Sequence, residues 1–231
     1  MNQCRARVAS VRALGPDVLE AVLAMDDPPD LHFQAGQWVS VPFGPKTVRA
    51  YSIASSPRAR ETISLVADVA PGGLGSRWFR GLAPGDEVRF KGPLGGFVLL
   101  PSETREAIFV AEEIGIVPIR SILVDLAECG LTRGARLVAW AREPQALLWD
   151  REFRALARSH PSFAYHPVVG AADPGWTGAV GRLEDQVDRL TPSVENVVAY
   201  VAGGEQAIHR VRDRLMDRGL QRKAVRWEKF W

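Results

Sequence analysis

The sequence predicts a two-domain β + α/β fold: an antiparallel six-stranded β-barrel followed by a five-stranded parallel α/β sheet covered by helices. Three observations carry this expectation. The length of 231 residues exceeds the usual size of one domain and suits two, each burying its own core. From Cys4 to about Leu100, short alternating or apolar runs are punctuated by Gly, Pro and Asp, as in antiparallel strands joined by tight turns. After the polar link Pro101-Ser102-Glu103-Thr104-Arg105-Glu106 the rhythm becomes apolar strand, loop, amphipathic helix, repeated, which is the signature of a parallel sheet. The expected domains are residues 1–101 and 102–231.

In the first part the expected strands are Arg5–Val11, Val18–Ala24, Trp38–Pro42, Arg49–Ser52, Thr62–Val69 and Glu87–Lys91. Six strands of that length suggest a small closed barrel, because closure removes exposed edges. Between the last two, Ser76–Leu82 reads as a short helix with Ser76 as its N-cap. In the second part the strands are Ala107–Ala111, Arg136–Trp140, Phe163–Val168, Val197–Val201 and Ala224–Trp227. The helices between them are Pro118–Glu128, Gln145–Arg158, Gly181–Leu190 and Glu205–Arg218, the first opening on Pro118, where a missing N–H costs nothing. Such a domain has the look of a nucleotide-binding fold.

Composition excludes several function classes. Hydrophobic residues make up 46% and charged residues 24%, close to globular averages, and the apolar runs are too short to cross a bilayer. The N-terminus lacks the pattern of a secretory signal, so the cytoplasm is the expected location, without membrane insertion. The net charge of +2 is spread along the chain rather than gathered into a basic stripe, which argues against nucleic acid as a partner. Cys4 and Cys129 stand alone, with neither a zinc pair nor an iron–sulfur set, and read as inert thiols. His32, His160, His166 and His209 show no metal-ligand spacing, and no serine-nucleophile elbow accompanies them, so no metal site is expected.

Two motifs carry chemistry. Arg49-Ala50-Tyr51-Ser52 lies on an expected strand, where residues two apart share a face, so Arg49 and Tyr51 point toward one ligand. A guanidinium grips pyrophosphate through paired charge-assisted hydrogen bonds, and a flat ring stacks on a heterocycle. In isolation the same four residues also suit a half-buried tyrosine beside a solvated arginine. The second motif, Pro71-Gly72-Gly73-Leu74-Gly75-Ser76, lets the backbone approach a ligand just before a helix start, a natural anion site, although a plain glycine-rich hairpin loop would read alike.

Taken with Phe33-Gln34-Ala35-Gly36-Gln37-Trp38, Pro84-Gly85-Asp86, Gly92-Pro93-Leu94-Gly95 and the ending Trp227-Glu228-Lys229-Phe230-Trp231, the chain resembles the ferredoxin–NADP reductase superfamily along nearly its whole length, in particular the flavin reductases and the reductase domains of oxygenase systems. The resemblance implies an FAD-binding barrel and an NAD(P)-binding-like α/β domain. By it, Arg49 holds the FAD pyrophosphate, Tyr51 stacks on the isoalloxazine and Ser52 sits near the flavin N5. Gly73, Leu74, Gly75 and Ser76 supply backbone donors to the phosphates, and Val66, Ala67 and Asp68 pass the flavin edge. At the terminus, Phe230 covers the second flavin face with Trp231 as an extra ring, and Glu228 tunes hydride transfer beside the nicotinamide. Ser52 and Glu228 are thus the candidate catalytic residues. A terminal strand capped by apolar packing would read the same way from sequence.

The nicotinamide motifs depart from the family's. Where the family has Gly-Thr-Gly-hydrophobic-x-Pro, this chain has Glu113-Ile114-Gly115-Ile116-Val117-Pro118, preceded by Glu112, and only Gly115 and Pro118 fit. A carboxylate about 6 Å from a phosphate charge, at an effective dielectric near 20, is opposed by roughly 3 kcal/mol before salt screening. The family's Cys-Gly-Pro-Pro-x-Met appears as Ala202-Gly203-Gly204-Glu205-Gln206-Ala207, without the thiol. Arg142 falls where the family contacts the adenosine ribose or its 2′-phosphate; with Arg151 equally suited to a solvated helix flank, NADH and NADPH stay unresolved.

The expected function is therefore an FAD-dependent oxidoreductase passing electrons between NADH or NADPH and a separate acceptor, a protein such as an iron–sulfur or oxygenase component, or a small molecule. The alternative is an FAD-containing electron-transfer subunit of a complex that has lost direct NAD(P)H binding. A third reading makes the α/β half a docking surface on a flavin-bearing scaffold.

Overall fold

The computed structural model describes residues 3–230. The chain divides into two compact units: one runs to Leu99 and takes in Arg120–Asp125, the other comprises Leu100–Ile119 and the chain from Leu126 onward.

The first unit contains β1 (Gln3–Gly15), β2 (Val18–Asp27), β3 (Trp38–Pro42), β4 (Val48–Ser52), β5 (Thr62–Asp68) and β6 (Glu87–Leu94), in the order β4-β3-β6-β1-β2-β5. Every named pairing is antiparallel. Alternation explains the inner face: Cys4, Ala6 and Val8 of β1, Ala21 and Leu23 of β2, Val39 and Val41 of β3, and Val88 and Phe90 of β6 are buried in one core. Register shifts along β1, between Val8 and Ser10 among others, bend the long β1–β2 hairpin as a curved sheet requires. The two edge strands meet through a bridge between Ile53 and Leu65, which closes the barrel.

Helix α1 (Leu74–Arg80) follows β5 and drives Phe79 fully into the barrel core. It starts two residues before the expected Ser76. Gly73 occupies the N-cap without a side-chain hydrogen bond, and Ser76 is buried within the first turn instead of capping it. No hydroxyl caps this helix start, and the N-cap backbone at Gly73, φ −69°, is one that any residue adopts.

The second unit is a parallel sheet of six strands, not the five expected, in the order β10-β9-β8-β7-β11-β12. These are β7 (Glu106–Glu112), β8 (Ala135–Ala141), β9 (Phe163–Val169), β10 (Ala179–Val180), β11 (Val197–Gly203) and β12 (Val225–Lys229). The additional strand is β10, two residues pairing with Val168 and Val169 in a glycine-rich stretch and too short to show periodicity. Helices α2 (Ile116–Glu128), α3 (Asp150–Ser159), α4 (Leu183–Leu190) and α5 (Glu205–Asp217) intervene. Leu183 and Val187 of α4, with Ala207, Ile208, Val211 and Leu215 of α5, pack with Ile108, Val110, Ala199 and Val201 of the central strands.

Helix starts differ from expectation in physical detail. Helix α2 begins at Ile116, so Pro118 is a buried residue of its first turn. Helix α3 begins at Asp150 rather than Gln145, because Pro144–Ala146 form a separate 3-10 turn and Trp149 adopts φ 55°. The strand order reverses between β7 and β11, which makes the carboxyl ends of these two strands the topological switch point of the sheet.

Candidate functional site

In the first unit, β4 holds Arg49 and Tyr51 two residues apart, opposite Val41 and Val39 of β3, so both side chains leave the same face of the strand. Tyr51 is 8% exposed, with its ring 5.6 Å from each of Trp78 and Phe79 of α1. Burial pushes the Tyr51 phenol up to about 12, with the nearby Arg49 charge pulling the other way. Arg49 is exposed, and one guanidinium N–H donates to the Val48 carbonyl over 2.8 Å.

Gly75 explains why this loop is rich in glycine. A Cβ there would lie 2.9 Å from the Tyr51 hydroxyl and 3.3 Å from Cγ of Arg49, closer than side chains ordinarily approach. The first turn of α1 therefore rests directly on the Arg49–Tyr51 pair. The N–H groups of Leu74, Gly75 and Ser76 belong to that turn and have no intrahelical acceptor. Gly72, at φ +66°, makes the turn into the loop, and its carbonyl accepts from Arg77 over 2.8 Å.

Ser52 ends β4 and is buried, as are Val66 and Ala67 on β5, the strand that the Ile53–Leu65 bridge sets beside the end of β4. Asp68 is exposed and turns inward to its own chain, accepting from the Ala70 N–H over 2.8 Å. A guanidinium, a phenol ring and a side-chain-free glycine turn are thereby gathered on one patch of the barrel. That donor set fits a pyrophosphate carried on a flat ring system.

In the second unit, the switch point brings together Glu112, the last residue of β7, and Gly115 beyond it with Gly203, the last residue of β11, and Gly204. A Cβ on Gly115 would fall 2.2 Å from the Ala202 carbonyl oxygen, so only glycine lets this loop lie against the end of β11. Glu228 of β12 stands opposite Ala202, and the Phe230 N–H donates to the Gly203 carbonyl over 3.0 Å, which ties the C-terminal segment to the same end of the sheet. Arg142 is exposed just beyond the carboxyl end of β8, on the neighbouring strand. Trp231 lies outside the described residues.

A cavity of about 710 Å³ opens at this switch point, lined by Glu112, Gly204, Glu205, Gln206, His209 and Arg210 among others. The Glu112 carboxylate accepts the Gly204 N–H over 2.9 Å at the start of α5. Burial raises the Glu112 carboxyl above its ordinary value; the Gly204 hydrogen bond and Arg210 act against this, and Glu113 and Glu184 add to it. Glu205, next along, is held down by its ion pair with Lys229 at 2.9 Å.

The oxidoreductase FAD-binding domain family matches residues 5–99. Ferredoxin–NADP reductase B of Sorangium cellulosum is 29% identical, with 97% of this chain and 96% of that protein aligned. The phenol hydroxylase P5 protein of Acinetobacter pittii is 32% identical over 98% of this chain and 65% of its own length. The chain is similar to ferredoxin–NADP reductases and oxygenase reductase components along nearly its whole length, and residues 5–99 are an oxidoreductase FAD-binding domain. The cytochrome P450 reductase GcoB of Amycolatopsis shares the fold with a TM-score of 0.89 at 26% identity, over 99% of this chain and 70% of that one. The chain thus spans nearly the whole of one superfamily relative and about two thirds of another.

Residues 5–99 match an oxidoreductase FAD-binding domain, and the Arg49–Tyr51–Gly75 patch lies within them. No group of metal-ligating side chains occurs among the described residues, and no helix there is long and apolar enough to cross a membrane. Sequence reasoning missed Trp78, whose ring flanks Tyr51 and meets Phe43 edge-on at 5.3 Å. It also missed Arg210, His209 and Gln206 of the switch-point cavity. Trp78 had a faint signal, an aromatic pair with Phe79 directly after the glycine loop. Arg210 had none, being one arginine among several on a polar helix face.

Proposed function

We propose that this chain is an FAD-dependent reductase that passes electrons between NADH or NADPH and a separate acceptor. Bound FAD supplies the chemistry, taking up a hydride and releasing electrons. The chain binds and orients it: Arg49 grips the pyrophosphate, the first-turn N–H groups from Gly73 to Ser76 donate to the phosphates, and Tyr51 stacks against the isoalloxazine. Ser52, Val66, Ala67 and Asp68 flank the ring. The observation that carries this reading is the contact of Gly75 with Tyr51 and Arg49, a glycine position with no reason to be side-chain-free unless the loop must close on that pair.

The nicotinamide nucleotide is assigned to the switch-point crevice of the α/β unit, with Gly115 and Pro118 shaping its floor and Arg142 reaching the adenosine ribose. Glu228 and Phe230 are assigned to the nicotinamide end, with Trp231 beside them. The acceptor is proposed to be a redox protein of an oxygenase system, in line with the phenol hydroxylase relative, and the proposed place of work is the cytoplasm. Anaerobic titration with NADH and NADPH tests the function: bleaching of the flavin band at micromolar nucleotide is expected. A flavin that dithionite reduces and neither nucleotide does would refute nicotinamide oxidation.

A second reading has one specific observation in its favour. If the Glu112 carboxylate on Gly204 keeps dinucleotides out altogether, the chain is an FAD-containing electron-transfer subunit that exchanges electrons only with partners.

A further inference from the structure

At the start of α5, where main-chain donors of a parallel α/β sheet meet a ligand anion, the donor of Gly204 is already taken by the chain's own Glu112. The backbone is built to admit that carboxylate. A Cβ on Gly203 would lie 2.7 Å from Cβ of Glu112 and 3.2 Å from its Oε2, so a glycine stands where any side chain would expel it. Gly115, pressed against Ala202, ends the tight turn that follows Glu112 at the end of β7. Glu112 also lines the cavity, so it faces any ligand there rather than being sealed away.

We propose that Glu112 is a built-in competing anion, a specificity-determining residue that weakens dinucleotide binding while ionised and relaxes its opposition when protonated. This rests on the assignment of the nicotinamide nucleotide to the switch point. The charged groups around Glu112 are Glu113 on its own loop, Glu205, His209 and Arg210 on α5, Glu184 on α4 and Lys229 on β12. Arg210 is the cation a phosphate would seek, yet its Nε lies 2.9 Å from the buried Glu184 carboxylate, which also pairs with Arg182. Two carboxylates thus compete with an incoming phosphate for α5, and one of them, Glu112, sits on the donor itself. Burial favours its protonated form, so the opposition falls as pH falls.

The test is equilibrium binding of NAD⁺, whose pyrophosphate does not titrate near neutrality, to flavin-loaded wild type and Glu112→Gln between about pH 5.5 and 8. Glutamine keeps an oxygen to accept the Gly204 N–H and removes the charge, which separates electrostatics from structure. Glu112→Gln is expected to bind at least about tenfold tighter at the upper end, by the Coulomb term after screening. In NADH-driven flavin reduction, KM should fall with kcat little changed. Wild-type affinity should rise on acidification more steeply than that of the variant, the difference removing any share from His209. Equal affinities and parallel pH profiles would overturn the proposal and leave nicotinamide binding intact, and weaker binding by Glu112→Gln would overturn it by making Glu112 a ligand-holding group. Binding by neither protein would overturn both this proposal and the nicotinamide assignment.

Discussion

A Cβ on Gly75 would stand 2.9 Å from the hydroxyl of Tyr51, so the start of α1 and the centre of β4 are in contact only because one of them lacks a side chain. Gly75→Ala must push the loop from Tyr51 or tilt the ring against Trp78. We expect about a tenfold loss or more in FAD affinity, the equivalent of roughly 1.4 kcal/mol, with the barrel still folded. Flavin retention on gel filtration, beside an unchanged far-ultraviolet spectrum, checks this.

With Arg49 on the pyrophosphate as proposed, removing its guanidinium deletes charge-assisted hydrogen bonds worth about 1.5–3 kcal/mol, so Arg49→Ala should weaken FAD binding by roughly 10- to 100-fold. Arg49→Lys should recover part of this, because an ammonium keeps the charge and loses the bidentate fork. Full retention of FAD by Arg49→Ala would remove Arg49 from the site. Since Arg49 is exposed, its loss should leave the flavin-free chain's stability within about 0.5 kcal/mol.

Burial raises Tyr51 from an ordinary value of 10.0 to about 12. The sign follows from the neutral form being favoured in the folded state: this contribution is complete below the unfolded value and is lost as pH rises through the folded one. Tyr165 and Tyr200, the other two tyrosines, are raised as well, again with burial the largest cause. An alkaline titration of the flavin-free chain should therefore show phenolate absorbance displaced above the ordinary range. Tyr51→Phe should flatten the alkaline loss of stability. Phenolate appearing near pH 10 in the folded chain would contradict the burial.

Gly36 has φ +94°, and a Cβ on it would lie 2.0 Å from the Phe97 carbonyl oxygen. Gly36→Ala should destabilise the barrel by about 2–4 kcal/mol, combining left-handed strain with a steric clash. Gly44 is the control. It has φ +101° with nothing within 4 Å, so Gly44→Ala should cost only about 1 kcal/mol. Denaturant midpoints of the two variants separate crowding from strain.

Alternation made the strands legible: β3 spans Trp38–Pro42 as read, and β2 and β5 differ only at their far ends. The gaps have physical causes. Ser76 has the chemistry of an N-cap, yet the helix starts at Leu74 and Ser76 is buried within its first turn. Trp149 delays α3 by adopting a left-handed backbone that is rare for a bulky residue, a feature no propensity reveals. At the site, the Arg49–Tyr51 spacing was readable because a strand has period two. Glu112 was readable as an unwelcome charge, but its partner Gly204 is 92 residues away, and only the reversal of strand order between β7 and β11 brings the two together.

Residues of β4 and the α1 loop are proposed to hold FAD. Titrating the flavin-free chain with FAD and with FMN, following quenching of flavin fluorescence, tests it most directly. Saturation is expected at one FAD per chain with a dissociation constant of about 1 μM or lower, and clearly weaker FMN binding, because FMN lacks the pyrophosphate that Arg49 and the glycine turn are proposed to grip. Absence of saturable FAD binding, or equal affinity for FMN, would contradict it.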